Sequence, residues 1–246
     1  MNTITIDIGN TRVKVAIFDE NGGLVDLLTD PDLGAVLSAN IGANVIYSTV
    51  RNLHDVGVFS EGQLHALQLA NAIEFNHLLC KKLSIEIEHI ETLGKDRLAG
   101  VMGARFLLPG RNVMVVDAGT CLTFDYLTAD EKYIGGAISM GVNMRYLSLN
   151  HFTSKLPLLS NVGDLAESIV GIDIGGHTDA AIQSGVLGSV FDEIGSRMDR
   201  FKSNYADSAI IFTGGDAEFL VKHIKNEIFV EPLLVHYGLY HAVQSA

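Results

Sequence analysis

The stretch Thr3-Ile4-Thr5-Ile6-Asp7-Ile8-Gly9-Asn10-Thr11-Arg12-Val13-Lys14-Val15-Ala16-Ile17-Phe18 decides how this chain folds. Apolar and polar residues alternate on either side of Gly9-Asn10-Thr11, the pattern of two strands, Thr3–Asp7 and Val13–Phe18, joined by a glycine turn. Asn21-Gly22-Gly23 marks the next turn, so the chain opens as a β-meander. The same arrangement returns further on. A strand over Asn112–Asp117 ends in Asp117-Ala118-Gly119-Thr120, and Cys121–Leu127 and Tyr133–Ser139 follow as strands. Two matching strand-turn-strand units so far apart predict two domains of similar build, because solenoid repeats recur at far shorter periods. Pro109-Gly110-Arg111 is the expected boundary, giving domains over 1–110 and 111–246.

Between these units, Val45-Ile46-Tyr47 reads as a short strand, and Leu64, Leu67, Ala70, Ile73 and Leu78 space a helix over Glu61–Lys82. Asp96–Leu108 reads as a helix that Pro109-Gly110 stops. The second half adds helices near Asn143–Asn150 and Thr178–Arg200, a strand Ala209–Phe212, the turn Thr213-Gly214-Gly215, and helices after Asp216 and around Tyr237–Ala242. Strands and helices mix throughout, which places the chain in the α/β or α+β class.

Composition narrows the function. With 48% hydrophobic residues in 246, the chain buries a substantial core, and disorder is excluded as its main state. The 25 glycines beside 4 prolines point to many tight turns. A net charge of −12, from 17 Lys+Arg against 29 Asp+Glu, argues against nonspecific binding to nucleic acid or anionic membranes, since counterion release needs clustered cations. The N-terminal residues lack a basic segment followed by an apolar one, and no apolar run reaches bilayer length, so a soluble cytoplasmic protein is expected. Cys80 and Cys121 lie far apart without a CxxC, the pattern of free thiols.

Asp-x-Gly between two strands has a specific chemical use. A glycine hairpin lets backbone N–H groups approach a phosphate while the carboxylate holds Mg²⁺ or its water shell. One copy is common in ordinary hairpins; two copies in equivalent places, with Thr213-Gly214-Gly215 after them, suit a grip on a triphosphate. Thr11 and Thr120 add hydroxyls, and Lys14 places an ammonium beside the phosphates. A P-loop and a GxGxxG dinucleotide fingerprint are both absent from the sequence, as are HExxH and GxSxG. Gly94-Lys95-Asp96-Arg97 stands before an apolar helix, where Asp96 is either an N-terminal charge favoured by the helix dipole or an acceptor of a substrate hydroxyl proton, with Arg97 binding an anionic group. Gly171-Ile172-Asp173-Ile174-Gly175-Gly176 reads as a turn leading into a helix that starts near Thr178.

The two hairpins and the Thr-Gly-Gly turn together resemble the actin, sugar kinase and Hsp70 ATPase superfamily. Within it, the ordered set Asp7–Lys14, Gly94–Arg97, Asp117–Asp125, Gly135-Gly-Ala-Ile-Ser-Met-Gly141 and Thr213–Asp216 resembles type III pantothenate kinase over nearly the whole chain. The resemblance implies an α/β fold of two similar actin-like (ribonuclease H-like) domains with a nucleotide cleft between them. It implies ATP-dependent phosphorylation of the 4′-hydroxyl of pantothenate, the first step towards coenzyme A. It further implies that Asp7, Ile8, Gly9, Asn10, Thr11, Arg12, Val13, Lys14, Thr120, Gly214 and Gly215 bind ATP, with Asp7 near Mg²⁺. Gly94, Lys95, Asp96 and Arg97 would line the pantothenate site with Asp96 as general base. Asp117 would hold the monovalent cation, K⁺ or NH₄⁺, and Thr178 would reach pantothenate across a homodimer.

Three departures from the family pattern stand out: Met140 where Pro is usual, Cys121 where Ala is usual, and no Tyr between Tyr47 and Tyr126 to supply an aromatic contact ahead of Gly94. The alternatives are another small-molecule kinase of the superfamily and a nucleotide-binding transcriptional accessory factor without turnover. Intact Asp7, Lys14, Asp96 and Asp117 favour the enzyme.

Overall fold

The computed structural model describes residues 1–51, 61–80, 85–159, 174–224 and 227–244. In chain order its elements are β1 (Thr3–Ile8), β2 (Val13–Phe18), β3 (Leu24–Thr29), α1 (Leu33–Ala39), β4 (Asn44–Thr49), α2 (Glu61–Leu69), β5 (Ile73–Glu74), α3 (His77–Cys80), β6 (Glu86–Ile87) and α4 (Lys95–Leu107). Then come β7 (Asn112–Ala118), β8 (Cys121–Leu127), β9 (Lys132–Met140), α5 (Val142–Phe152), α6 (Thr178–Asn204), β10 (Ser208–Thr213), α7 (Ala217–Val221), β11 (Phe229–Val230) and α8 (Leu234–Gln244). Two compact units contain them: Met1–Pro109 with Glu131–Tyr133 and Leu233–Ala246, and Gly110–Asp130 with Ile134–Pro232.

The first unit is built on a sheet of order β3-β2-β1-β4-β5, antiparallel between β1 and β2 and parallel between β1 and β4. The Thr-Ile alternation of β1 looks half-exposed in sequence, but both of its faces are covered. Ile4, Ile6 and Ile8 pack with Val15, Ile17, Leu33, Leu37 and Leu67. On the other face Thr3 and Thr5 are equally buried, and their hydroxyls meet α8: Gln244 Nε2 donates to Thr3 Oγ1 at 3.3 Å, and Thr5 Oγ1 lies 2.8 Å from His236 Nδ1. Period-two alternation thus separates two buried faces, one aliphatic and one polar.

The uninterrupted second domain expected over 111–246 is not what forms, because α8 belongs to the first unit. Leu239 and Ala242 of α8 join Leu98, Ala99 and Met102 of α4 in one core. Two glycines permit the approach: a Cβ on Gly103 would overlap the Leu234 carbonyl, and one on Gly238 would overlap the carbonyl of Ala99. This backbone-on-backbone contact is nonlocal and leaves no trace in hydrophobic period.

The helix expected over Glu61–Lys82 also divides. It stops after Leu69, where Asn71 takes a positive φ of 48° and the Ala72 and Asn71 N–H groups close on the carbonyls of Leu67 and Gln68. That is a Schellman ending with asparagine in the left-handed position. The short strand β5 follows, then the single turn α3; Lys81 and Lys82 lie outside the described residues, as do Gly171–Asp173.

The second unit carries β11-β10-β7-β8-β9 in sheet order. The start of β9, Lys132 and Tyr133, pairs with β6 inside the first unit. Met114, Val116 and Ala118 of β7 face α5 and the long helix α6, whose buried Ile182, Val186, Val190, Ile194 and Met198 recur every four residues.

Candidate active site

In the first unit, strand register assembles a row of functional side chains. Asp7, near the C-terminal end of β1, pairs with Lys14 across the antiparallel β2 and with Ser48 across the parallel β4. Directly opposed residues share a face, so Lys14, Asp7 and Ser48 stand side by side on the face that α4 and α8 cover. Asp96, in the first turn of α4, brings a second carboxylate towards Asp7. Burial, and then the Asp96 charge, push the Asp7 carboxyl up to about 6, while Lys14 pulls it the other way. A buried carboxyl raised in this manner beside a second carboxylate is a candidate for a functional role.

The first hairpin is closed by Gly9, whose N–H donates to the Arg12 carbonyl at 3.0 Å. That donor is spent within the turn, so backbone donors to a phosphate have to come from the rest of Asn10–Arg12. Asp30 braces the hairpin from β3: its Oδ1 accepts the Val13 N–H at 2.8 Å and its Oδ2 pairs with Arg12 Nη1 at 3.0 Å. The Arg12–Asp30 pair is solvent-exposed.

The Gly94–Arg97 segment splits its charges. Asp96 Oδ1 accepts the Arg97 N–H at 2.8 Å, which fixes the carboxylate in the helix's first turn and leaves further acceptor capacity on the group. Lys95 forms an ion pair with Glu74. Glu74 also accepts the Tyr47 hydroxyl, whose pKa is raised by burial and then by that carboxylate. Arg97 Nη2 donates to the Tyr133 hydroxyl at 3.1 Å.

His236 lies under this row. It is buried, its Nδ1 meets Thr5, its Nε2 has no hydrogen-bond partner, and burial with the Lys14 charge depresses its pKa to about 3. Ser48 Oγ is likewise buried without a partner. Two orphaned polar atoms on the face that carries Asp7 are costly and make it the candidate functional face. Nothing in the apolar surroundings of either residue flags it in the sequence.

In the second unit, Asp117 occupies the equivalent place on β7, opposite Thr123 of β8 and Thr213 of β10. Gly119 N–H closes this hairpin on the Cys121 carbonyl at 3.0 Å. Three separated motifs meet here backbone to backbone. Asp216 N–H donates to Ala118 O at 2.9 Å, and Gly141 N–H to Thr120 O at 3.2 Å. Gly214 holds a φ of 95°, with room for no Cβ: one would sit 2.5 Å from both Ala118 O and Asp117 Oδ1. The Thr123 hydroxyl is buried without a partner. Thr120 is exposed, and Gly215 has no heavy atom within 4 Å of a would-be Cβ.

Thr178 opens α6 behind the His177 cap and is exposed. It lines a cavity of about 760 Å³ between α5 and α6, together with Met140, Arg145, Phe152 and Ile182. Arg145 anchors one wall through Glu193 at 2.6 Å and Ser139 at 3.0 Å. Burial works to raise the Glu193 carboxyl, but hydrogen bonds from Arg145, Ser139 and Arg197 outweigh it and hold the group low. Of the cavity's apolar lining residues, Met140 and Phe152 are exposed.

Among the described residues no three His, Cys, Asp or Glu side chains cluster as a metal cage. A hard cation bound through one or two carboxylates, with water and phosphate oxygens completing its shell, needs no such cage, and Asp7 with Asp96 fits that donor set. Asp117, beside the orphaned Thr123 hydroxyl, offers the oxygen donors that a monovalent cation takes. Among the described residues no helix is long and apolar enough to cross a membrane.

Comparison with known proteins shows the family. The sequence model of a family described as type III pantothenate kinase matches residues 3–200. The Flavobacterium johnsoniae type III pantothenate kinase is 36% identical over 232 residues, which cover 92% of this chain and 91% of that one. Among solved structures, a Campylobacter jejuni protein provisionally described as a Baf family transcriptional activator superposes with a TM-score of 0.64 at 20% identity, covering 98% and 97% of the two chains. The ADPNP-bound activator of 2-hydroxyisocaproyl-CoA dehydratase from Clostridium difficile gives 0.53 at 15% identity, covering 100% and 96%. At these identities the structures show the fold alone, that of the actin-like ATPases and sugar kinases.

Proposed function

Because the chain belongs to the type III pantothenate kinase family, it phosphorylates pantothenate with ATP at the first step of coenzyme A synthesis, and we propose which residues carry each part of that reaction. The observation that carries the assignment is the approach of Asp96, held in the first turn of α4, to the row Lys14-Asp7-Ser48. Phosphoryl transfer leaves a protein little covalent work: it positions the acceptor, neutralises the γ-phosphoryl oxygens and receives one proton. Ile8 to Val13 shape the phosphate turn, Lys14 lies against the phosphates, and Asp7 holds Mg²⁺ or its water. Bound there, Mg²⁺ would offset the negative charge that develops on the phosphoryl oxygens.

Asp96 orients the 4′-hydroxyl of pantothenate and takes its proton as the P–O bond forms. Gly94 leaves the Asp96 carboxylate uncrowded, since a Cβ there would stand 2.8 Å from Oδ1. Arg97 takes the carboxylate end of the substrate, and Lys95 acts on the site through its pairing with Glu74. In the second unit Thr120, Gly214 and Gly215 contact ATP, and Asp117 with Thr123 holds K⁺ or NH₄⁺. The exposed Met140 and Phe152, which line the same cavity as Thr178, support a homodimer in which Thr178 of the partner subunit completes the pantothenate site. The enzyme acts in the cytoplasm.

One assay tests the whole scheme: ADP release from Mg·ATP with and without pantothenate, in K⁺ against Na⁺. Pantothenate-dependent release is expected, and Asp96→Asn should lower kcat by about 10² or more with little change in KM for ATP. Near-normal turnover in that variant removes Asp96 from the base role, and equal rates in K⁺ and Na⁺ remove Asp117 from the cation role. Sedimentation of the free enzyme as a monomer would remove Thr178.

A further inference from the structure

Resting on that reading, we propose that His236 is a positioning residue of the phosphate site, its Nε2 lone pair orienting the Lys14 ammonium, directly or through one bridging water, for the phosphates of ATP. Thr5 carries a single hydroxyl proton, yet its Oγ1 makes two contacts: it donates to the Ala16 carbonyl at 3.4 Å and lies 2.8 Å from His236 Nδ1. One proton cannot serve both, so with Thr5 donating to Ala16 the imidazole donates through Nδ1–H to Thr5. That fixes the tautomer, and Nε2 bears the lone pair. Burial and then the Lys14 charge hold the ring neutral, with a pKa of about 3, so near neutral pH Nε2 is an acceptor and not a cation. Nε2 is itself buried and has no hydrogen-bond partner. A buried lone pair left unmet is costly, and an ammonium is the donor that suits it best.

Lys14 is placed to be that donor. Across β1 and β2, Thr5 pairs with Ala16 and Asp7 with Lys14, so Lys14 stands one step further along the face on which His236 rests. The direction of α8 is set by its two ends. Gln244, at its end, meets Thr3, and His236, near its start, meets Thr5, so the start of the helix points along β1 towards Asp7 and Lys14. Gly238, two residues on, lets the helix sit against the Ala99 carbonyl of α4, where a Cβ would overlap it, and this close seat holds the imidazole in place. Lys14 is half-buried, and its charge is the one that acts on the ring. A lysine ammonium is a point charge with three donors on a flexible stem. One donor turned to a neutral lone pair sets the direction of the other two without cancelling the charge that attracts phosphate.

Two substitutions separate the two ring nitrogens. His236→Asn keeps an N–H for Thr5 and removes Nε2, whereas His236→Gln supplies a carbonyl oxygen near the Nε2 position. His236→Asn should weaken binding of a non-hydrolysable ATP analogue and raise KM for ATP, each about fivefold, with KM for pantothenate changed less than about twofold. His236→Gln should recover most of that loss, and in a Lys14→Ala background His236→Asn should weaken analogue binding no further. A merely structural role would affect both substrates alike and would persist without Lys14. The ring nitrogens of the wild-type protein, read by ¹⁵N NMR, give a check that needs no variant: Nδ1 protonated and Nε2 bare. A protonated Nε2, equal effects on ATP and pantothenate, a Gln substitution as damaging as Asn, or an undiminished effect of His236→Asn without Lys14 overturns the role of His236 alone. A wild-type enzyme whose ADP release is indifferent to pantothenate overturns the reading beneath it.

Discussion

The two Asp-x-Gly hairpins look interchangeable in sequence and are built differently in space. The first has four residues between the paired Ile8 and Val13, and the second has three between Ala118 and Leu122. Asp7 is flanked in its row by an ammonium and a serine and approached by Asp96; Asp117 is flanked by two threonines. A side chain, Asp30, braces the first hairpin, whereas Gly141 and the Thr213-Gly214-Gly215 turn brace the second through backbone contact. The first hairpin is tuned in charge and the second in shape. A shared signature therefore fixes where a carboxylate stands and leaves what it does to the neighbouring strands.

The sharpest break in this comparison is steric. Gly214→Ala introduces a Cβ 2.5 Å from two oxygens at a φ of 95°, and both conflicts involve the second hairpin. A loss of roughly 3 kcal/mol or more is expected in denaturant unfolding. Gly9→Ala in the first hairpin meets only the Arg12 carbonyl, at 3.3 Å, and should cost under about 1 kcal/mol. Equal losses would show that the two hairpins are braced alike.

The next effect is electrostatic and belongs to the first hairpin. Asp7 titrates at about 6 when folded against 3.8 for the ordinary group, so the folded state holds the proton more tightly. The resulting stability is present below pH 3.8 and is lost as pH rises through 6. Asp7→Asn should accordingly stabilise the metal-free protein at pH 7 by up to about 3 kcal/mol, at 1.36 kcal/mol per unit, and by almost nothing at pH 3.5, while abolishing activity. Chemical denaturation at the two pH values decides it. A destabilised Asp7→Asn at pH 7 would mean that Lys14 outweighs burial.

Much of this was legible in the chain itself. Strand alternation and glycine turns are local signals, and they located both hairpins, the helix after Gly94 and the start of α6 at Thr178. What escaped is nonlocal or unpatterned. Asn71 breaks a helical spacing by adopting a left-handed backbone that few residues accept, so the helix expected to reach Lys82 stops early. The return of α8 to the first unit depends on Gly103 and Gly238 meeting opposite carbonyls, which no hydrophobic pattern encodes. Ser48 and His236 join the row beside Asp7 only through strand pairing and tertiary packing. Nor does the sequence show that the Gly9 and Gly119 N–H groups close their own turns, on Arg12 O and Cys121 O.

A smaller effect sharpens the same contrast, since the polar face of the first sheet buries a histidine. The folded pKa of His236, about 3, lies below the ordinary 6.5, so its contribution is fully present above pH 6.5 and is lost as pH falls towards 3. At pH 5 the loss should be about 2 kcal/mol, from the same 1.36 kcal/mol per unit. His236→Leu should flatten this acid limb, at a modest cost near pH 7 because the Thr5 hydroxyl loses a partner. An acid limb as steep as wild type in that variant would place the titration elsewhere.

The smallest effect tests the side-chain brace of the first hairpin. Arg12 and Asp30 are both exposed, and an exposed pair contributes only about 0.2–1 kcal/mol, weakened further by salt. Arg12→Ala should therefore barely move the unfolding midpoint. Asp30→Ala should cost more, because Asp30 also accepts the Val13 N–H at 2.8 Å and stands at the positive-φ corner that ends β3. If the brace serves the phosphate turn, Asp30→Ala raises KM for ATP beyond the change seen in Arg12→Ala. Equal KM values in the two variants would mean that the pair acts through the arginine alone, and that the first hairpin, like the second, holds its shape by backbone.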